Sequence, residues 1–237
     1  MPAKLYGIEH FTYIGITTAL AVAILLFAKK FAKTEKAQTI VLKSIALALF
    51  VSILANRLSQ VFRYETTRWV EIFPESYCGM TSLVLSLAVL LGKKDNPAYH
   101  FLWILGVFGG ISTVVFPNFI GQGPTIFYLP TISGLLHHSF SATLVVALLL
   151  FKQIRITYKK WYCTLFGFTC YLSFGAFLMG FFDLKDAFHI YTPLLPDTPL
   201  TTWVMAPMYA VCYALILWII ELIRGRKAKK KERYQLK

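Results

Sequence analysis

Acid is scarce in this chain: 11 aspartates and glutamates stand against 24 lysines and arginines, for a net charge of +13. Cysteine is sparse too. Cys78, Cys163, Cys170 and Cys212 form no C-x-x-C pair, and three of them fall in the middle of apolar runs, so a disulfide framework is not expected. No internal repeat and no low-complexity tract is present apart from a basic tail, which excludes solenoids and compositionally disordered classes. No secretory signal is expected. The segment Met1–His10 is short and polar, and the first apolar run is long enough to be retained as a span.

What the chain has in excess is apolar sequence. It is 57% hydrophobic with a mean hydropathy of +0.61, against about 45–50% for an ordinary soluble domain. The excess is gathered into blocks of about 20 residues, the length that crosses about 30 Å of hydrocarbon. Seven such spans are read, at 10–28, 40–62, 74–92, 99–117, 130–151, 161–182 and 203–223. Pro74 and Pro130 are expected to open the third and fifth, since proline suits the first helical position, and Pro117 to close the fourth.

The basic residues sort by side. Lys29, Lys30, Lys33, Lys36 and Lys43 follow span one; Lys93 and Lys94 follow span three; Lys152, Arg155, Lys159 and Lys160 follow span five; the rest of the cluster lies after Ile223. Of the 24, only Lys4, Arg57, Arg63, Arg68 and Lys185 fall elsewhere. The positive-inside rule then places the N-terminus outside and the C-terminus in the cytoplasm, an alternation that requires an odd number of spans. The expected fold is all-α: a polytopic membrane protein, a seven-transmembrane-helix bundle formed as one domain over residues 1–223, with 224–237 a basic cytoplasmic tail. The charge balance follows from topology, so no nucleic-acid partner is expected.

Polar groups at bilayer depth cluster in the outer half, and such groups mark candidate sites. Asn56, Gln60 and Arg63 share one helix face at i, i+4, i+7 spacing, with Arg57 beside them about 9 Å inside the end of span two. Arg57 suits an anion, either a carboxylate of the chain or a lipid phosphate. Cys78 sits near the start of span three after Glu75, where a helix N-terminus and nearby basic residues favour a thiolate. His137 and His138 lie about 10–12 Å deep in span five. Adjacent helical residues point about 100° apart, so the two are not expected to share one site. The loop 183–202, with Asp183 and Asp186, is long enough to cap a cavity, and the uncharged loop 117–129 is either a re-entrant lip or an exposed turn. Together the residues outline a cavity open to the outer leaflet. Cys plus His at matching depth suits an imidazole-activated thiolate, with Arg57 or Asn56 on an oxyanion or phosphate, and with a membrane lipid as substrate.

These residues resemble the YwaF-like integral membrane proteins of bacteria, which are related to an animal transmembrane acyltransferase that remodels ether lipids. The likeness runs from about residue 56 to 223. It rests on Pro74-x-x-x-Cys78 at span three, on Gly106, Gly109, Gly110 and Pro117 in span four, on His137-His138, with His138 the better match by spacing, and on Trp203 with Pro207-Met-Tyr209 in the last span. The family's Pro-Leu-His-Leu-Cys departs here, with Glu75 for Leu and Ser76 for His, which leaves His137, His138 or Glu75 to take that histidine's role. The resemblance implies thioester-type acyl transfer between phospholipids in the bacterial plasma membrane, with Cys78 as acyl carrier and no cofactor.

Other classes fit less well. A small-molecule transporter, or a ligand-binding membrane protein without catalysis, remains the alternative, although no inverted repeat or pair of broken helices is visible. Seven-span zinc hydrolases use paired histidines in their last span, whereas spans six and seven here contain no His, so no metal site is expected. A retinal protein needs a Lys in the last span, and 203–223 has none.

Overall fold

The computed structural model describes residues 6–63, 67–120, 123, 125–182 and 184–235. Every regular element among them is helical. The main helices are α1 (Ile8–Phe31), α2 (Glu35–Val61), α3 (Tyr77–Leu91), α4 (Pro97–Ile104), α5 (Gly110–Val115), α6 (Leu129–Leu150), α7 (Tyr162–Phe182) and α8 (Thr202–Gln235). A π-helical turn, Leu105–Gly109, fuses α4 and α5 into one rod. Among the described residues, six helices are long and apolar enough to cross a membrane: α1, α2, the rod Pro97–Val115, α6, Tyr158–Phe182 and Thr202–Arg226.

The third expected span is shorter than its hydropathy implied. α3 has 15 residues, about 22 Å of helix, against about 30 Å of hydrocarbon. Pro74 does not open it. Trp69–Ile72 forms a 3-10 turn and Phe73 is extended. Ser76 then caps α3, its hydroxyl accepting the Gly79 N–H at 3.2 Å. Two helices begin before the expected spans, α2 at Glu35 and α4 at Pro97. Thr34 caps α2, Asn96 caps α4 with Pro97 at its first position, and α6 begins at Leu129, one residue before Pro130. The rod ends at Val115, two residues before Pro117.

The chain forms two compact units, Met1–Ile154 and Arg155–Lys237. In the first, α6 is the central helix and packs on α2, α3, the rod and α1. Leu49, Ile53, Leu85, Leu102, Leu135, Leu144 and Leu148 are almost fully buried around it. α1 faces mostly outward and is held near its start by three polar bonds. The Glu9 carboxylate accepts the Ile126 N–H at 2.9 Å, His10 Nε2 donates to the Val114 carbonyl at 2.8 Å, and the Tyr13 and Ser139 hydroxyls lie 2.9 Å apart.

Where the rod crosses α6, the two backbones nearly touch. A Cβ on Gly106 would stand 2.8 Å from Val145 Cγ2, and one on Gly110 would stand 2.6 Å from the His138 carbonyl oxygen. The spacing Gly106-x-x-x-Gly110 is the small-residue pattern that lets membrane helices approach closely.

In the second unit, the loop between α7 and α8 is built on itself. Thr202 donates its hydroxyl to the Phe188 carbonyl and its N–H to the His189 carbonyl at 2.8 Å. Phe188 packs on Tyr171 at 5.3 Å between ring centroids. Asp186 accepts N–H bonds from Ile190 and Thr192 at 3.0 Å and from Tyr191 at 3.2 Å. Burial pushes its carboxyl up, but the bonds from Thr192, Tyr191 and Ile190 outweigh that and hold it below the ordinary 3.8. Asp186 is thus committed to its own loop, while Asp183 lies outside the described residues, as do Gly121, Gln122 and Pro124 of the loop at 117–129.

The crossing yields a stability prediction. The obstacle at Gly110 is backbone, which cannot swing aside, so Gly110→Ala should destabilise the protein by about 1–3 kcal/mol. Gly15 has open space around its Cβ position, so Gly15→Ala should leave stability unchanged or slightly raised. Thermal unfolding in detergent measures both, and equal midpoints for the two variants would show that the crossing is looser than described.

Candidate functional site

The end of α2, the start of α3, the π-turn and the first half of α6 meet around one buried polar cluster. Asn56 joins α2 to α6: its Nδ2 donates to the Pro130 carbonyl at 3.1 Å and to Ser133 Oγ at 3.3 Å. Its Oδ1 accepts Nη2 of Arg57 at 2.9 Å. Asn56 is 4% exposed, and these bonds use its donor and its acceptor together, as a buried amide requires. Gln60 is half-buried at the rim, with its Oε1 3.4 Å from Nη1 of Arg63.

Arg57 carries its guanidinium inward beside that amide. Its Nε is buried without a hydrogen-bond partner, and the charges nearest to it are Glu75 and Glu71. Glu71 is itself buried and paired with Arg68 at 3.2 Å. A buried cation with an unmet donor is costly in hydrocarbon and suits an incoming anion.

Cys78 lies in the first turn of α3 and is half-buried. Its thiol is hydrogen-bonded to Thr113 of α5, and its Sγ lies 3.2 Å from where a Gly109 Cβ would be. Gly109 is the last residue of the π-turn. A π-turn widens the helix and re-aims its carbonyls, and the Gly109 carbonyl accepts a ring N–H from His138. Cys78 and His138 therefore both reach the same glycine.

His137 and His138 do not point to separate places as their 100° offset suggested. Their ring centroids are 4.2 Å apart and tilted by 32°. The reason is the position of α6, which is enclosed on several sides, so both directions lead inward and the rings lean together. His137 Nδ1 lies 3.0 Å from Ser82 Oγ, and Arg57 is close enough to act on His137 electrostatically.

The structure thus brings Asn56, Arg57, Cys78, His137 and His138 into one region and leaves Gln60 and Glu75 toward its edge. Three contributors were not singled out from sequence: Thr113, Ser82 and the Gly109 carbonyl. Ser82 had a usable signal, since it is four residues after Cys78 and so on the same helix face. Thr113 and the Gly109 carbonyl depend on the π-turn, which has no sequence period. Among the described residues, no cluster of three or more His, Cys, Asp or Glu is arranged to hold a metal ion. The cluster can therefore offer a nucleophile, an imidazole pair and a guanidinium.

Comparison with known proteins adds one relationship. No curated protein and no solved structure matches the chain. The model of the TMEM164 family matches residues 5–224. The chain, with six helices fit to cross a membrane among its described residues, therefore belongs to the TMEM164 family of transmembrane proteins.

Proposed function

We propose that this protein is a membrane acyltransferase that moves acyl chains between phospholipids, with Cys78 as acyl carrier and His138 as its base. The observation that supports this most is the convergence of the Cys78 thiol and the His138 ring on Gly109. In the forward half-reaction, the sulfur attacks the ester carbonyl carbon of a donor lipid while its proton passes to His138. A C–S bond forms, the ester C–O bond breaks, and the leaving glycerol oxygen takes the proton from His138. The hydroxyl of a lysophospholipid then attacks the thioester and gives its proton to His138. The C–S bond breaks, and the sulfur recovers the proton. One ester is exchanged for another, so the balance needs no further reactant.

Arg57 has the role of holding the lipid phosphate. Its unmet Nε suits an anionic oxygen, and Asn56 fixes its other edge. Gln60 and Glu75 stand at the entrance to this site.

The finer topology belongs to the same reading. α3 completes a seventh crossing, the N-terminus faces outside, and the tail lies in the cytoplasm of a cell whose plasma membrane holds the protein. The distribution of lysines and arginines supports this.

Intact-mass spectrometry of the purified protein incubated with phospholipid and lysophospholipid tests the chemistry. The expected result is an acyl adduct on Cys78 and exchange of acyl chains, with both lost in Cys78→Ala. The rate should fall at least about a thousandfold, as for removal of a nucleophile elsewhere. A folded wild type that forms no adduct and exchanges no chains would leave a binding or transport role instead. Arg57→Lys keeps the charge but loses the planar fork, so KM for phospholipid should rise about tenfold; an unchanged KM would remove Arg57 from the headgroup site. For topology, an impermeant thiol reagent on intact cells should label Tyr6→Cys and spare Lys94→Cys, each in a background without native cysteines. The reverse pattern would overturn the orientation.

A further inference from the structure

Ser82 lacks the local bond by which several buried hydroxyls of the first unit satisfy themselves. Ser52 donates to the Ala48 carbonyl, Thr143 to the Ser139 carbonyl and Ser86 to the Leu83 carbonyl, each at 2.8 Å. Ser133 also donates back, to the Leu129 carbonyl. This local back-bonding is the ordinary way for a helix in hydrocarbon to satisfy a hydroxyl. Ser82 is 1% exposed, and among the described residues it makes no such bond. Its Oγ reaches across to α6, 3.0 Å from Nδ1 of His137. A buried hydroxyl with one partner must give its proton there, since an O–H left undonated away from water is costly. His137 then accepts at Nδ1, and as a neutral imidazole it carries its own proton on Nε2.

His138 is anchored in the opposite sense. It donates a ring N–H to the Gly109 carbonyl, a group that can only accept, so its second nitrogen is an acceptor. The two stacked rings, 4.2 Å apart, are thus unequal. One offers a lone pair on the nitrogen not bound to Gly109, and the other offers an N–H.

We infer that the two histidines divide the labour, His138 accepting the proton of Cys78 and His137 donating its Nε2–H to the oxyanion of the lipid ester, with Ser82 as the positioning residue that fixes His137 in the donor tautomer. The inference rests on the acyl-transfer reading for the identity of the oxyanion, but the tautomer assignment stands on the hydrogen bonds alone. The oxyanion carries one negative charge as the ester carbon becomes tetrahedral. A neutral N–H aimed at it stabilises that charge without a proton changing hands, and Arg57 stays free for the phosphate.

The test reads tautomers and turnover separately. Histidine-selective ¹⁵N NMR in lipid nanodiscs, assigned with His137→Gln, distinguishes protonated from bare ring nitrogens. Wild type should give bare Nδ1 and protonated Nε2 at His137. Ser82→Ala should populate both tautomers, and Ser82→Thr, which keeps the hydroxyl, should restore the single one. Transfer from phosphatidylcholine to lysophosphatidylethanolamine should fall about 10- to 100-fold in kcat in Ser82→Ala with KM unchanged. Protonated Nδ1 in the wild type, or a His137 spectrum indifferent to Ser82→Ala, would overturn the assignment whatever the kinetics show. A KM effect equal to the kcat effect would also count against it. If the tautomers respond as expected and the wild type transfers no acyl chain, the Ser82–His137 assignment holds and the acyltransferase reading falls.

Discussion

The contact between the glycine-lined rod and α6 governs the rest of the first unit. With Gly110 packed against the His138 carbonyl, the rod axis is pinned one backbone width from the central helix. The π-turn just before it is then forced to face α3 on one side and His138 on the other. A side chain at Gly110 would meet the His138 carbonyl and push the rod away from the central helix. Packing by small residues thus does two things at once. It supplies the close van der Waals contact that holds helices together where lipid is as apolar as leucine, and it sets the distance between a thiol and an imidazole.

The polar cluster is the other half of that arrangement. Inside hydrocarbon each unsatisfied donor or acceptor is costly, and most of the groups here answer that by bonding across helices: Asn56 to Pro130 and Ser133, Ser82 to His137, His138 to Gly109, Thr113 to Cys78. These bonds join α2, α3 and the rod to α6, so the groups with chemical potential also fix the relative position of the helices. Arg57 is the exception. Its Nε is buried without a partner, and in a cluster otherwise so well matched, that unmet donor is the feature on which the proposed headgroup site rests.

Much of this was legible in the sequence, and the boundary of legibility has physical causes. Helix positions followed from hydrophobic runs and from prolines such as Pro117 and Pro130, because those signals are local. The third span was overextended because hydropathy sums composition and ignores backbone, whereas Pro74 and the Ser76 cap delay the helix to Tyr77. The residues Asn56, Arg57, Cys78, His137 and His138 were visible as polar groups in an apolar setting. Their partners were not, since Ser82 and Thr113 look like ordinary membrane-helix hydroxyls until the neighbouring helix is in place. The histidine offset misled because a 100° step separates two directions only when one of them leads to lipid, and α6 is surrounded by protein.

Burial also bears on which reaction the cluster favours. A thioester has two competing fates, transfer to an alcohol or hydrolysis, and bulk water far outnumbers any lysophospholipid. Thr113, His137 and His138 are each about one-twentieth exposed (6%, 5% and 6%), and the helices around them present leucine, isoleucine and phenylalanine outward. Water is therefore scarce at the imidazoles, while on the proposed reading a lipid hydroxyl arrives by lateral diffusion with its acyl chain already in the bilayer. Exclusion of water protects a reactive intermediate and strengthens every hydrogen bond to developing charge. On the proposed acyl-transfer reading, the same burial that makes Arg57 and the histidines costly to fold favours transfer to a lipid hydroxyl over hydrolysis.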